Sequence, residues 1–171
     1  MVPLVDKLLF PDYDACLNLG GFSNISFDTN GNRIAFDVCP VNIVLNLLSG
    51  KLGFDYDDKG VIASAGELDV NLLNQLNNLS YYCQPFPKSL AWEWVVENML
   101  PVLENSGLSI ENQMRTFVEH TAMQMSSVAK DYNLKSVLVS GGGVCNDFLF
   151  ERLNYFAPNL CCLLYTSDAA D

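Results

Sequence analysis

Residues 137–146 read VLVSGGGVCN. A β-branched apolar run stops at three glycines, and an Asn-Asp pair then opens a helical pattern. Glycine is costly in backbone entropy, so its place at the end of a buried strand calls for a reason. A tight turn is one reason. A ligand that must approach the backbone is the other, because a strand–glycine–helix junction presents free amides and a helix N-terminus to an anion. The junction is not a G-x-G-x-x-G fingerprint, since Asn146 stands where the third glycine belongs, and no Gly-Lys-Ser/Thr follows to make a P-loop.

The rest of the chain agrees. ACLNL, FSNISFD and RIAFD read as three strands of a meander, with TNGN as the turn between the last two. From Asn42 the pattern becomes helical, with Ile43, Leu47 and Leu48 on one side and a stop near Gly50 or Gly53. DVNLLNQLNNL is a helix with Asp69 as N-cap, and YYCQPFPKS is a loop. LAWEWVVENMLPVLENSG is helical with Pro101 kinking it, and at least one of Trp92 and Trp94 belongs to the core. Ser109 caps a long helix whose stripe is Ile110, Met114, Phe117, Val118, Thr121, Met125 and Val128. SVLVS is a strand and NDFLFERLNYF a helix. The expected class is mixed α/β, with a sheet that begins as an antiparallel meander and is flanked by helices.

Several residues admit both a structural and a functional reading. Gly20-Gly21 is a β-bulge or bend, or a hairpin whose amides face phosphate. Asp37, at the end of an apolar strand, is a turn or N-cap aspartate, or a general base held at a cleft. Asn42 is an N-cap or a polar ligand contact. His120 reads as a buried structural histidine. DYDDKGVIASAGE opens like a calcium loop at Asp55, Asp57 and Gly60, but Lys59 occupies a ligand position and Gly66 replaces the closing glutamate, so calcium is rejected.

Composition sets the outer limits. With 171 residues, half of them hydrophobic and 17% charged, the chain can bury one core. Its formal net charge of −11 argues against non-specific binding to nucleic acid or anionic membrane. Six cysteines without a C-x-x-C, and a single histidine, give no zinc pattern. The start MVPLVDKLLFPDYD lacks signal-peptide character. The thiols are expected reduced and mostly buried, in a cytoplasmic protein.

Taken together, LNLGGFSNISF, AFDVCPVN, YDDKGVIASAG, PKSLAWE and VSGGGVCNDFL stand in the order and spacing seen in anhydro-N-acetylmuramic acid kinases. The resemblance covers about residues 2–157 and implies a lobe of the actin-like ATPase (ribonuclease H-like) fold. It implies ATP-dependent phosphorylation of 1,6-anhydro-N-acetylmuramic acid with ring opening by water, the product being N-acetylmuramic acid 6-phosphate. ATP and Mg2+ are the implied cofactors, with no protein metal site. By resemblance Asp37 is the catalytic base. Gly20 and Gly21 are the phosphate hairpin. Gly141, Gly142, Gly143 and Asn146 form the nucleotide turn, and Asn24, Asn42 and Glu93 lie on the sugar side. Cys39 and Val41 stand where the family pattern has glycines, and PKSLAWE keeps Lys88, Ser89 and Glu93 but not the arginine. Another sugar or acyl kinase of the superfamily, or a binding module without chemistry, are the alternatives.

The glycine-rich first-lobe phosphate loop of that family is not in the sequence. Residues 1–159 are therefore expected to be an incomplete second lobe, inactive alone, whose partner is the first lobe; the resemblance also admits a homodimer. Residues 160–171, ending LYTSDAAD, are expected to be a non-native tail.

Overall fold

The computed structural model describes residues 12–165; the VPLV stretch and residues 166–171 lie outside the described residues. Strands β1 (Ala15–Leu19), β2 (Phe22–Thr29) and β3 (Asn32–Pro40) form the meander. Asn30 and Gly31 turn β2 into β3 with φ of 50° and 80°, the left-handed pair that a two-residue hairpin requires. β4 (Ser136–Ser140) lies parallel to β1, and β5 (Cys161–Leu164) lies parallel to β4. The strand order is β3-β2-β1-β4-β5, a mixed sheet as expected.

The sheet runs past the expected boundary at residue 159. Cys161–Leu164 pair with Ser136–Val139 in register, because an apolar four-residue run beside the buried β4 can complete a ladder. This part of the expected tail is an edge strand.

Helices follow the sequence pattern closely. They are α1 (Asn42–Lys51), α2 (Val61–Ala65), α3 (Val70–Asn77), α4 (Trp92–Trp94), α5 (Leu100–Glu104), α6 (Ile110–Asp131) and α7 (Asp147–Phe156). Asp69 caps α3 by accepting from the Leu72 amide at 2.7 Å, and Ser109 caps α6 by accepting from Asn112. Pro101 lies in the first turn of α5, and the preceding Val95–Met99 widens into a π-turn, which absorbs the backbone bond that proline cannot make. Trp94 packs against Tyr81 and Tyr82, while Trp92 is exposed.

α6 is the centre of the helical layer. It packs against α1, α2, α3, α7 and β3. The stripe Met114, Phe117, Val118, Met125 and Val128 is buried as expected, and Gln113, Thr116, Glu119 and His120 are buried as well. An amphipathic pattern gave a one-sided helix; the fold surrounds it. Burying polar groups on its far side is costly unless they are hydrogen-bonded, as Glu119 is to Arg115 and Arg152.

His120 is fully buried, with Nδ1 2.6 Å from Asn77 Oδ1. Burial pushes its imidazole down from 6.5 to about 3. Below pH 6.5 the unfolded chain takes up a proton that the folded chain refuses, so stability falls as pH drops from about 6.5 towards 3. Urea melts across that range should show this slope, and His120→Gln should flatten it.

The cysteines depart from expectation. Cys39 alone among the six is fully buried, while Cys83, Cys145 and Cys161 are exposed and Cys16 and Cys162 are half-buried. None of the six is in a disulfide. Burial pushes the Cys39 thiol up to about 12, the Ser23 hydroxyl only partly offsetting this. An Ellman titration of folded protein should modify the exposed three quickly and leave Cys39 untouched until denaturant is added.

Candidate active site

The register of the sheet brings the candidate residues to one edge. Asp37 on β3 pairs with Asn24 on β2, Asn24 with Asn18 on β1, and Asn18 with Ser140 on β4. Residues opposite one another share a face, so these four polar side chains form a row across four strands. The opposite face carries Leu17, Ile25, Phe36 and Val139, all buried. The row lies at the carboxyl ends of β1, β3 and β4, where open α/β sheets bind ligands.

A β-bulge aims Asp37 into that row. Ser23 pairs with Cys39, and the next residue, Asn24, pairs with Asp37, so Val38 is the extra residue. Without it Asn24 would face Val38, and Asp37 would fall on the core side. Beyond the bulge Ser23 and Cys39 hold each other on the core side. Ser23 Oγ donates to the Cys39 carbonyl at 3.1 Å and accepts from its amide at 3.2 Å.

Asp37 is neither an N-cap nor a turn residue. Its Oδ1 accepts from Asn24 Nδ2 at 2.9 Å. Its Oδ2 accepts from Ser89 Oγ at 3.0 Å and from the Leu90 amide at 2.8 Å. A carboxylate has about four lone-pair sites, so one remains, on Oδ1. The backbone of Asp37 is clamped as well. Its amide donates to the Lys88 carbonyl at 3.1 Å, and its carbonyl accepts from the Tyr81 hydroxyl at 2.6 Å. Lys88 Nζ closes the clamp by donating to the Tyr81 carbonyl at 2.8 Å while lying 4.3 Å from the Tyr81 ring centroid and 4.6 Å from that of Phe86. Burial pulls the Lys88 ammonium below its usual value, and burial pushes the Tyr81 phenol well above its own. Such an arrangement can hold an ionised carboxylate rigid with one acceptor site open. Ser89→Ala should cost about 1 kcal/mol in urea melts, and Ser89→Thr should restore most of it.

The glycines divide into two kinds. Gly141 has φ of 90°, and any Cβ there would strike Asn18 and the Leu19 carbonyl; a Cβ on Gly143 would come within 2.7 Å of Leu19 Cβ. Those two are demanded by the fold. Gly142 is different: a Cβ would meet only Asn42 Nδ2, at 3.8 Å. Gly20 and Gly21 are different too, with ordinary contacts at 3.6 and 3.5 Å and no positive φ. Packing does not ask for glycine at these three positions.

Gly20 and Gly21 also hold α1. Their carbonyls accept from the amides of Val41, Asn42 and Ile43, which satisfies the first donors of the helix. Asn42 is therefore inside α1 and is no cap; its Nδ2 donates to the Leu19 carbonyl at 3.4 Å. Asn146 caps α7 by accepting from Leu149 at 3.0 Å. Asn42, Gly142 and Asn146 together line one wall of a cavity of about 400 Å³. Asp37, Asn24, Gly20 and Gly21 lie outside that lining. Glu93 is exposed on α4, three residues beyond Leu90, and also lies outside it. Sequence reasoning missed Ser89 and Leu90 as partners of Asp37, and missed Asn18 and Ser140. The quoted motifs PKSLAWE and LNLGG contained three of these, but only strand register could join them.

The whole chain matches known proteins. The family model for anhydro-N-acetylmuramic acid kinase matches residues 1–170. Anhydro-N-acetylmuramic acid kinase of Aliivibrio fischeri is 32% identical over 168 residues, covering 93% of this chain and 46% of that protein. That of Pseudomonas fluorescens is 33% identical over 171 residues, covering 93% and 46%. The chain thus spans about half the length of these relatives. Two solved structures share the fold. The activator of the 2-hydroxyisocaproyl-CoA dehydratase from Clostridium difficile, with bound ADPNP, has a TM-score of 0.55 at 17% identity, covering 94% of this chain and 56% of that one. Component A of the (R)-2-hydroxyglutaryl-CoA dehydratase of Acidaminococcus fermentans has 0.54 at 13%, covering 95% and 59%. The architecture is that of an actin-like ATPase lobe. With the family model spanning nearly every residue, this chain belongs to the anhydro-N-acetylmuramic acid kinase family.

Proposed function

We propose that this chain supplies one lobe of a cytoplasmic, ATP-dependent sugar kinase that opens the bridge of 1,6-anhydro-N-acetylmuramic acid with water and leaves the phosphoryl group on O6. The product is N-acetylmuramic acid 6-phosphate, in recycling of the bacterial cell-wall sugar. The observation that carries this reading is the Asp37 carboxylate, fixed by three donors at the sheet edge that also presents the glycine turns.

In this reading Asp37 Oδ1 takes the proton of a water whose oxygen bonds to the anomeric carbon. The bond from that carbon to the bridging oxygen breaks, and the freed O6 takes the γ-phosphoryl group, releasing ADP. Asn24 orients Asp37 and, with Asn42 and Glu93, meets the sugar. Gly20 and Gly21 let phosphate approach the backbone, and Gly142 with Asn146 does the same for the nucleotide. In this reading Mg2+ would be held on the nucleotide phosphates, its common mode of binding. Phosphoryl transfer is positioning plus electrostatics, and in this fold the remaining contacts come from the opposite lobe.

A coupled ADP-release assay tests the reading. A protein completed to family length around this sequence should release ADP only when 1,6-anhydro-N-acetylmuramic acid is present, and the 171-residue chain alone should release none. ADP release independent of the sugar would sink the substrate assignment. Sustained turnover by the chain alone would sink the two-lobe requirement.

A further inference from the structure

The motif DYDDKG has no role in the chemistry above, yet it forms the second wall of the 400 Å³ cavity, through Asp55, Tyr56, Asp57, Asp58 and Lys59. We propose that residues 54–60 are the nucleoside-recognising wall of this cavity. Tyr56 carries the base, and the phosphates are turned away from the loop towards Asn42 and the Gly20–Gly21 turn. The proposal rests on the nucleotide reading above.

The loop is built rather than draped. Asp57 is 7% exposed, and its two carboxylate oxygens accept from the amides of Ile62 at 2.7 Å and Ala63 at 3.0 Å. Lys59 and Gly60 turn with φ of 56° and 77°. A Cβ on Gly60 would run into Asn146 Oδ1 and Phe148 Cβ, so the loop is seated on the N-terminal turn of α7. Tyr56 directly precedes this seated turn. Tyr56 is 61% exposed while lining the cavity, a large ring left without cover on the wall of a cleft. An aromatic face of this kind is a platform for a base.

Charge sets the orientation. The loop wall carries three carboxylates against one ammonium, Lys59. A polyphosphate placed there would be repelled, whereas ribose hydroxyls are donors that exposed Asp55 and Asp58 can accept. The opposite wall offers neutral groups. Asn146 is 6% exposed; its Oδ1 is used by the Leu149 amide, and its Nδ2 has no partner among the described residues. That amide is an open donor at the cavity, suited to a ring nitrogen of a base. At about 400 Å³ the cavity falls within the roughly 300–1,000 Å³ of small-molecule clefts.

The test uses the 171-residue chain, ¹⁵N-labelled, titrated separately with adenosine, ATP and inorganic tripolyphosphate up to millimolar concentration. Adenosine and ATP should both shift the amide signals of Tyr56, Gly142 and Asn146, and tripolyphosphate should leave residues 54–60 unmoved. Tyr56→Leu should weaken adenosine binding by about 5- to 150-fold, the range for loss of one base–aromatic stack, and Tyr56→Phe should keep it. ATP binding that survives Tyr56→Leu unchanged, or tripolyphosphate shifts centred on the loop, would overturn the orientation and leave the nucleotide reading standing. If neither adenosine nor ATP perturbs any of these residues, both fall.

Discussion

Asp37→Asn, in a protein completed to family length, should lower turnover by about 10²–10⁴-fold, the usual loss on removing a general base. The substitution should do this without unfolding the lobe, and the geometry explains why. An asparagine at position 37 can keep its oxygen towards Ser89 and Leu90 and turn its amide nitrogen towards Asn24. Asn24 then flips to present its own oxygen. The Ser89 hydroxyl and the Leu90 amide keep their acceptor, Asn24 accepts where it donated before, and the main loss is charge assistance, a cost of about 1–2 kcal/mol. What disappears is the open lone pair on Oδ1, now an N–H. Steady-state kinetics and a urea melt of the same sample separate the two effects. Turnover within a few-fold of the parent would remove Asp37 from the chemistry.

Glu119→Ala should destabilise the fold by about 3–5 kcal/mol, a large share of the roughly 5–15 kcal/mol that holds a domain of this kind together. Glu119 is 3% exposed on α6. It accepts from Arg115 Nη1 at 2.7 Å, and from Arg152 on α7 at 2.7 Å through Nε and 2.9 Å through Nη2. The arginine side chains are only 14% and 16% exposed, so deleting the glutamate strands two cations that water reaches poorly. The loss also unpins α7, whose N-terminal turn forms one wall of the cavity. Burial alone would raise the Glu119 carboxyl, but the hydrogen bonds and charges of Arg152 and Arg115 more than reverse this and hold it below its usual 4.5. A folded-state value below the unfolded one means that the contribution is fully present above pH 4.5 and is lost as pH falls through the depressed value. Chemical melts at neutral pH give the first number, and melts at successively lower pH below 4.5 should show the parent converging on the variant. A neutral-pH difference under about 1 kcal/mol would mean that the two arginines find other partners.

Much of the fold was legible because its signals are local. Asn30-Gly31 has to turn a hairpin, Asp69 and Ser109 have to cap, and Pro101 has to disturb its helix, since each effect is decided within a few residues of backbone. The apolar stripe of α6 likewise follows from a 3.6-residue period. One local reading still went astray. Cysteine burial was assigned by residue type, and five of the six lie on half-buried or exposed positions. The pairing of Cys161–Leu164 with β4 was not legible either, because joining an edge depends on the neighbouring strand and not on the run itself.

By itself the sequence determined the order of strands and helices, the glycine junction at the end of β4, and Asp37, Asn42 and Asn146 as candidates, because these rest on short-range sterics and on residue chemistry. Tertiary structure decided which of them meet. The bulge at Val38 puts Asp37 on the polar face beside Asn24, and a loop more than fifty residues away supplies Ser89 and Leu90 to its second oxygen. The same packing divides the glycines into Gly141 and Gly143, which Leu19 and Asn18 leave no room to change, and Gly20, Gly21 and Gly142, where a Cβ would make only ordinary contacts. Strand register and side-chain volume are properties of pairs distant in the chain, so no local pattern encodes them.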